Sequence, residues 1–225
     1  MRIPITKYGL PQVVIYPGLC VLAMAAAVAL AAVNTSVFWV IEAVLAIVLI
    51  WMLSFFRDPK RDVPLDENLL LSPADGTISD IEEVDEPSFI GGRAKRIGIF
   101  LSIFNVHINR TPCRVRIENI TYRKGAFINA MNPNCGKVNE SNNIAMTRLS
   151  VPSEKLLVRQ ISGAIARRIV CDAEKGQEFS GGRIFGMIKF GSRTELYLPA
   201  ETSAKILVKK GDKVKAGLTV LAKYD

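Results

Sequence analysis

The sequence predicts a mainly β domain carried behind an α-helical membrane hairpin, and three observations predict it. The first quarter of the 225 residues holds two long apolar runs, the remainder breaks into short β-branched or apolar runs, and a glycine-centred pattern occurs twice near the C-terminus. With 49% hydrophobic residues the chain is too apolar for long disorder, and its composition excludes a collagen-like repeat or a disulfide-knotted miniprotein.

The first run, Val13 to Val33, has no charged residue over 21 positions, and the second, Val37 to Phe56, carries only Glu42 in 20. At about 1.5 Å rise per residue, each matches a hydrocarbon core of roughly 30 Å. Asn34-Thr35-Ser36 turns between them, and the Ala-rich stretch from Ala23 to Ala32 lets two helices approach closely. Arg2 and Lys7 precede the first run, Arg57, Lys60 and Arg61 follow the second, and the turn has neither Lys nor Arg. Both ends are therefore expected in the cytoplasm. The resulting division is a membrane hairpin over 1–56 and a cytoplasmic domain over 57–225. The second apolar run with its basic stop separates this pattern from a cleaved signal peptide.

After Phe56 the runs Leu69-Leu71, Thr77-Val84, Arg96-Ser102, Arg114-Tyr122, Leu156-Ile161 and Ile165-Cys171 predict strands. Pro, Gly, Asn or Asp bounds each, and Pro73-Ala74-Asp75-Gly76 and Gly91-Gly92 read as turns. Cys20, Cys113, Cys135 and Cys171 form no C-x-x-C pair and read as free thiols of a reducing compartment. His107 is the only histidine, so no metal-ligand set assembles. The net charge of +8 comes without an aromatic-basic motif, which excludes nucleic acid as a partner. The lysines Lys205, Lys209, Lys210, Lys213 and Lys215 suit an anionic lipid surface or a solvated face equally.

Glu174 to Phe190 and Lys209 to Asp225 align at an offset of 35, with Gly176 on Gly211, Gly182 on Gly217, Phe179 on Val214 and Phe185 on Val220. Two glycines six apart around an apolar residue predict strand, tight turn and strand. The pattern resembles the barrel-sandwich folds of lipoyl and biotinyl carrier domains, so a barrel-sandwich-like catalytic domain is expected. A non-enzymatic membrane-tethered carrier or adaptor is the rival this resemblance raises, with Met187-Ile188-Lys189 as a partial echo of a modifiable lysine.

Between the repeat units lies Phe190-Gly191-Ser192-Arg193. By itself a Gly-Ser pair is an ordinary turn, as Asp75 before Gly76 is an ordinary turn aspartate and His107 an ordinary core histidine. Taken together with Phe55-Phe56-Arg57-Asp58-Pro59, Ser72-Pro73-Ala74-Asp75-Gly76 and Val106-His107-Ile108-Asn109-Arg110, the chain resembles the phosphatidylserine decarboxylase proenzyme family, in the short GSR-type bacterial and archaeal branch. The resemblance implies self-cleavage at Gly191-Ser192 into a long piece, 1–191, and a short piece, 192–225, which stay together as a heterodimer. It implies a pyruvoyl group made from Ser192, and decarboxylation of phosphatidylserine to phosphatidylethanolamine through a Schiff base at the cytoplasmic face of the inner membrane. A related serine lipid is the alternative substrate, and a homo-oligomer is left open. Ser192 needs a base, which assigns His107, and Asp75 is expected to orient that imidazole as the third member of a triad. Longer relatives carry a second histidine where this chain has Phe104, which leaves His107 for the later proton transfer as well. The stretch Asn139 to Asn143 resembles the family's polar loop, read either as a headgroup pocket or as a solvated loop.

Overall fold

The structure is a computed structural model that describes residues 5–31, 34–132, 134–164, 168–189 and 191–225, with the side chains of 29 and 30 excepted. Arg2, Val33, Ile165 and Phe190, each used in the sequence reading, lie outside the described residues. The chain forms two compact units, Met1–Lys60 and Arg61–Asp225.

In the first unit the apolar runs are helical, α1 over Gln12–Ala31 and α2 over Thr35–Phe55. Asn34 caps α2, its side chain accepting the Val37 amide at 3.1 Å. The helices pack together, and the Cys20 thiol donates to Leu45 O at 3.4 Å. By length and composition α2 is able to cross a membrane, and none of its apolar window is buried in the protein. α1 is apolar as well, without a charged residue from Gln12 to Ala31.

The second unit is built from strands: β1 Leu69–Leu71, β2 Gly76–Glu86, β3 Gly92–Leu101, β4 Ile108–Arg110, β5 Val115–Arg123, β6 Ser141–Arg148 and β7 Lys155–Ile161, with the short helix α3 at Cys135–Val138. There follow β8 Arg168–Cys171, β9 Glu178–Phe179, β10 Ile184–Lys189, β11 Ser192–Pro199, β12 Lys205–Ile206, β13 Lys213–Val214 and β14 Val220–Lys223. Among the described residues one antiparallel sheet has the order β13-β2-β3-β11-β7-β6-β5-β9, and two three-stranded sheets have the orders β1-β14-β12 and β4-β10-β8. The core lies on one face of the large sheet, where Ile97, Ile99, Leu156, Val158, Leu196 and Leu198 are fully buried.

The expected barrel-sandwich is overturned by this topology. Among the described residues the end strands β13 and β9 are two residues long and do not pair with each other, so the large sheet stays open and no sheet closes into a barrel. Closure needs continuous hydrogen bonding around the ring, which these short edges do not supply.

The repeat is present in another form. Gly176 and Gly211 have φ of 86° and 95°, and Gly182 and Gly217 both have 70°. Ile78 N donates to Asp212 O at 2.9 Å and Gly211 N to Ile78 O at 2.8 Å; in the other half Ile117 N donates to Gln177 O at 2.8 Å and Gly176 N to Ile117 O at 2.7 Å. The register irregularities match too, between Ile78 and Asp80 in β2 and between Ile117 and Asn119 in β5. The halves also exchange bonds, Leu71 N to Pro112 O at 2.7 Å and Arg110 N to Pro73 O at 3.0 Å. These paired bonds define a pseudo-two-fold arrangement with β11 and β7 as its two central strands.

Candidate active site

Ser192 opens β11, a central strand bonded to β3 with Ser192 opposite Leu101 and to β7 with Arg193 opposite Ile161. Gly191, just before it, has φ of 60°, a left-handed conformation that glycine adopts without strain. The Gly191 carbonyl packs so closely on Gly163 that a Cβ there would lie 2.3 Å from it. The bond between Gly191 and Ser192 is thus held at the end of a strand fixed on both edges.

His107 sits one residue before β4 and is joined to β10 by Ile188 N donating to His107 O at 3.1 Å. Its imidazole is fully buried, with Nε2 3.2 Å from Gly191 N and Nδ1 3.0 Å from Asn105 O. An amide N–H only donates and a carbonyl only accepts, so the ring is the neutral tautomer with its proton on Nδ1 and its lone pair on Nε2. The Ser192 hydroxyl is buried and has no hydrogen-bond partner among the described residues. A buried hydroxyl without a partner is costly, and such atoms mark places where chemistry or a ligand completes the site.

The structure therefore brings His107, Gly191 and Ser192 together. Asp75 is held elsewhere: its Oδ2 pairs with Arg61 at 2.8 Å and its Oδ1 accepts from Ala216 N at 2.7 Å. Its turn nevertheless docks on β4 beside the histidine, because Pro73 O accepts from Arg110 N at 3.0 Å and from Asn109 Nδ2 at 3.3 Å.

Sequence reasoning missed two polar networks that β11 organises. On the face shared with Ser192, Asn109 Nδ2 donates to Thr194 Oγ1 at 3.1 Å, Gln160 Nε2 to Asn109 Oδ1 at 2.9 Å and Asn142 Nδ2 to Gln160 Oε1 at 3.3 Å. On the opposite face Arg193, 4% exposed, binds Glu195 at 2.8 Å and Asp80 at 2.7 Å. Burial acts against the charge on Asp80, yet the Ser79 hydroxyl and the Arg193 guanidinium hold its carboxyl below the usual range. Alternation of charged residues through the segment after the Gly-Ser pair was the available signal.

The 139–143 stretch is not a solvated loop. Asn139 is fully buried and spends its amide on backbone, Nδ2 donating to Ile128 O and Ser162 O at 2.8 Å each. From Ser141 onward the residues belong to β6. Lys189 is 5% exposed within β10 and opposite Arg168, where burial first and the Arg168 charge second lower its pKa. A carrier lysine stands at an exposed hairpin tip, so this position speaks against the carrier reading. The described residues contain no cluster of three or more potential metal ligands.

Residues 48–222 match the family model described as phosphatidylserine decarboxylase. The chain is similar to a phosphatidylserine decarboxylase proenzyme of Carboxydothermus hydrogenoformans, 44% identical over 77% of this chain and 80% of that one. It is similar also to proenzymes of the same name from Symbiobacterium thermophilum, 41% identical over 88% and 90%, and Rhodopirellula baltica, 45% identical over 76% and 70%.

Proposed function

The chain belongs to the phosphatidylserine decarboxylase proenzyme family, and from that premise we propose that Ser192 is the residue it converts, His107 the base that serves the conversion, and Asp75 the positioning residue behind both. The enzyme is a self-processing lyase that turns phosphatidylserine into phosphatidylethanolamine and carbon dioxide with a pyruvoyl group made from its own chain. The observation that carries the site reading is the contact of His107 Nε2 with Gly191 N beside a buried Ser192 hydroxyl that has no partner among the described residues.

Maturation then follows from these groups. Once the Nε2 lone pair exchanges the Gly191 amide for the Ser192 hydroxyl it takes the hydroxyl proton, and Oγ attacks the Gly191 carbonyl carbon. The C–N bond breaks as the C–O bond of an ester forms, and the amine takes the proton. Loss of the Ser192 α-proton expels Gly191 as a carboxylate, leaving a dehydroalanine. Its hydration releases ammonia and leaves the ketone, with one water consumed overall. The residues fit this product: a neutral imidazole, a buried reacting side chain and flanking strands that exclude bulk water.

The pyruvoyl carbonyl supplies an electrophile for the substrate amine and a sink for the electrons released with carbon dioxide. Among the chain's own groups, His107 holds a proton at Nδ1 and a proton acceptor at Nε2, which suits it to proton transfer in turnover as well.

The predicted cut at 191/192 leaves two pieces that are interlocked. In the short piece β11 bonds β3 and β7, β13 bonds β2 and β14 bonds β1, all from the long piece, which supports a heterodimer of the cleavage products. The apolar helices support a membrane anchor, and the positive flanks support a catalytic domain on the cytoplasmic face of the inner membrane, held there by anionic lipid.

The test is release of carbon dioxide from carboxyl-labelled phosphatidylserine vesicles by the purified full-length chain. Ser192→Ala abolishes it; release that persists in that variant removes the site assignment. Serine lipids with ester and ether backbones, compared in the same assay, decide between phosphatidylserine and a related serine lipid.

A further inference from the structure

Exposed apolar side chains stand on two turns that flank the scissile bond. Residues 102–105 close one turn, with Asn105 N donating to Ser102 O at 2.9 Å and Ser102 N to Asn105 Oδ1 at 2.8 Å. At its tip Phe104 is 70% exposed. The same turn reaches the site, because Asn105 O holds the imidazole and a Cβ on Gly191 would lie 3.6 Å from Ile103 Cγ2.

Residues 126–132 and 134–139 form the second flank. Asn139 pins them, bonding Ile128 at both N and O and Ser162 O. A Cβ at Gly163 would lie 3.2 Å from Ala130 Cβ and 2.3 Å from Gly191 O, which sets Ala130 beside the scissile carbonyl. Next to it Met131 is 67% exposed, with Phe127 and Val138 exposed on the same segment.

Large exposed apolar side chains on turns that reach a buried site mark a contact surface. The charges indicate what it contacts. Residues 119–139 carry Arg123, Lys124 and Lys137 and no Asp or Glu, and residues 102–106 carry no charge. Apolar tips with basic neighbours match the interfacial layer of an anionic bilayer.

We propose that these two turns are a docking rim that seats the site's mouth in the bilayer interface, with Phe104 and Met131 entering the acyl boundary and Lys124 and Lys137 meeting anionic headgroups. The inference rests on phosphatidylserine being the substrate: its acyl chains stay in the bilayer while Ser192 and His107 lie fully buried, so the mouth must meet the membrane for the headgroup to arrive.

The experiment compares the full-length chain with Phe104→Ser/Met131→Ser after reconstitution into vesicles of phosphatidylserine and phosphatidylcholine, and on dihexanoyl phosphatidylserine below its micelle concentration. Turnover of vesicle lipid is expected to fall by about tenfold or more, the scale set by two large apolar side chains losing their burial. Turnover of the monomeric lipid is expected to fall by clearly less, because a dissolved lipid needs no docking, and the ratio of the two losses is the readout. Phe104→Trp/Met131→Leu keeps vesicle turnover. Equal vesicle rates in the serine variant, or equal losses on both substrates, overturn the rim. So does a loss that follows protein dilution at fixed lipid, which would put a second copy of the chain on this surface.

Should the serine variant fail to fold, a fluorophore on Met131→Cys gives an independent reading in vesicles containing nitroxide-labelled acyl chains. Quenching is expected, and its absence overturns the proposal. A wild-type chain that matures yet leaves both lipids intact refutes the substrate reading instead, and the rim with it.

Discussion

His107 Nε2 accepts the Gly191 amide hydrogen at 3.2 Å, one residue ahead of the bond to Ser192. The contact fixes the tautomer of the only histidine and holds its lone pair at the scissile segment. It also separates two roles, since a glutamine in its place keeps an acceptor and loses the base. His107→Ala and His107→Gln are both expected to leave the chain uncleaved, slowed by at least about a hundredfold, the usual contribution of a positioned base. Normal cleavage in His107→Gln, followed on a denaturing gel, would reduce the histidine to a structural acceptor.

Ser192→Ala removes the buried hydroxyl without adding bulk. Intact mass spectrometry is expected to show one chain of 24.7 kDa apart from the substitution. In the wild type it shows 1–191 and 192–225, the shorter lighter by one ammonia than a peptide starting with serine. Cleavage surviving in Ser192→Ala would exclude this nucleophile.

Asp75 binds Arg61 and the Ala216 amide, so its influence on the histidine passes through the 73–75 turn that docks on β4. Asp75→Ala and Arg61→Ala are then both expected to slow maturation, the first more because it also leaves the Ala216 amide unpaired. If Arg61→Ala matures at the wild-type rate while Asp75→Ala does not mature at all, the carboxylate acts on the imidazole directly.

Gly163→Ala adds one methyl where the Gly191 carbonyl oxygen already stands at 2.3 Å from the new atom. Overpacking of this kind costs about 1–3 kcal/mol, and here it displaces the carbonyl that is attacked. Maturation is expected to slow by at least about tenfold, because a misplacement near 1 Å disturbs an attack geometry. An unchanged time course of cleavage would show that Gly163 does not set that position.

The sequence made the repeat and several strands legible, and the reasons are local. Leu69–Leu71 and the paired glycines of the repeat carry turn and β chemistry that no tertiary contact needs to supply. The strand β11 is absent from the predicted strands, because charged Arg193 and Glu195 interrupt its apolar pattern, whereas in the fold they neutralise each other at 5% and 1% side-chain exposure. Likewise Asn142 and Asn143 resemble a loop in composition, and lie in a strand where Asn142 Nδ2 donates to Gln160 and Arg159 donates to Asn143 Oδ1 from β7. Of the site, the identities of Ser192 and His107 could be inferred from motifs, while the Arg61 partner of Asp75 depends on a fold contact that spacing does not encode. The barrel-sandwich was misjudged because local strand-turn-strand pattern does not state which edges meet.

The same charge network gives a pH dependence with a definite sign. Burial opposes the charge on Asp80, but the Ser79 hydrogen bond and Arg193 hold its carboxyl below the ordinary value of 3.8. A group whose folded pKa lies below its unfolded one contributes stability above the unfolded value and loses it as pH falls through the folded one. The contribution is therefore complete from about pH 5 upward and lost as acid titration proceeds below 3.8. Measured on the uncleaved Ser192→Ala chain, so that one species unfolds, the melting temperature should fall more steeply in this acid range with Asp80 present than in Asp80→Asn. Arg193→Ala should also lower it at neutral pH, because Glu195 is left buried without its closest cation, a loss of about 3–5 kcal/mol for a broken buried pair. Parallel acid profiles for the Asp80 pair of proteins would mean that the carboxylate gains nothing from folding and that Arg193 is held by Glu195 alone.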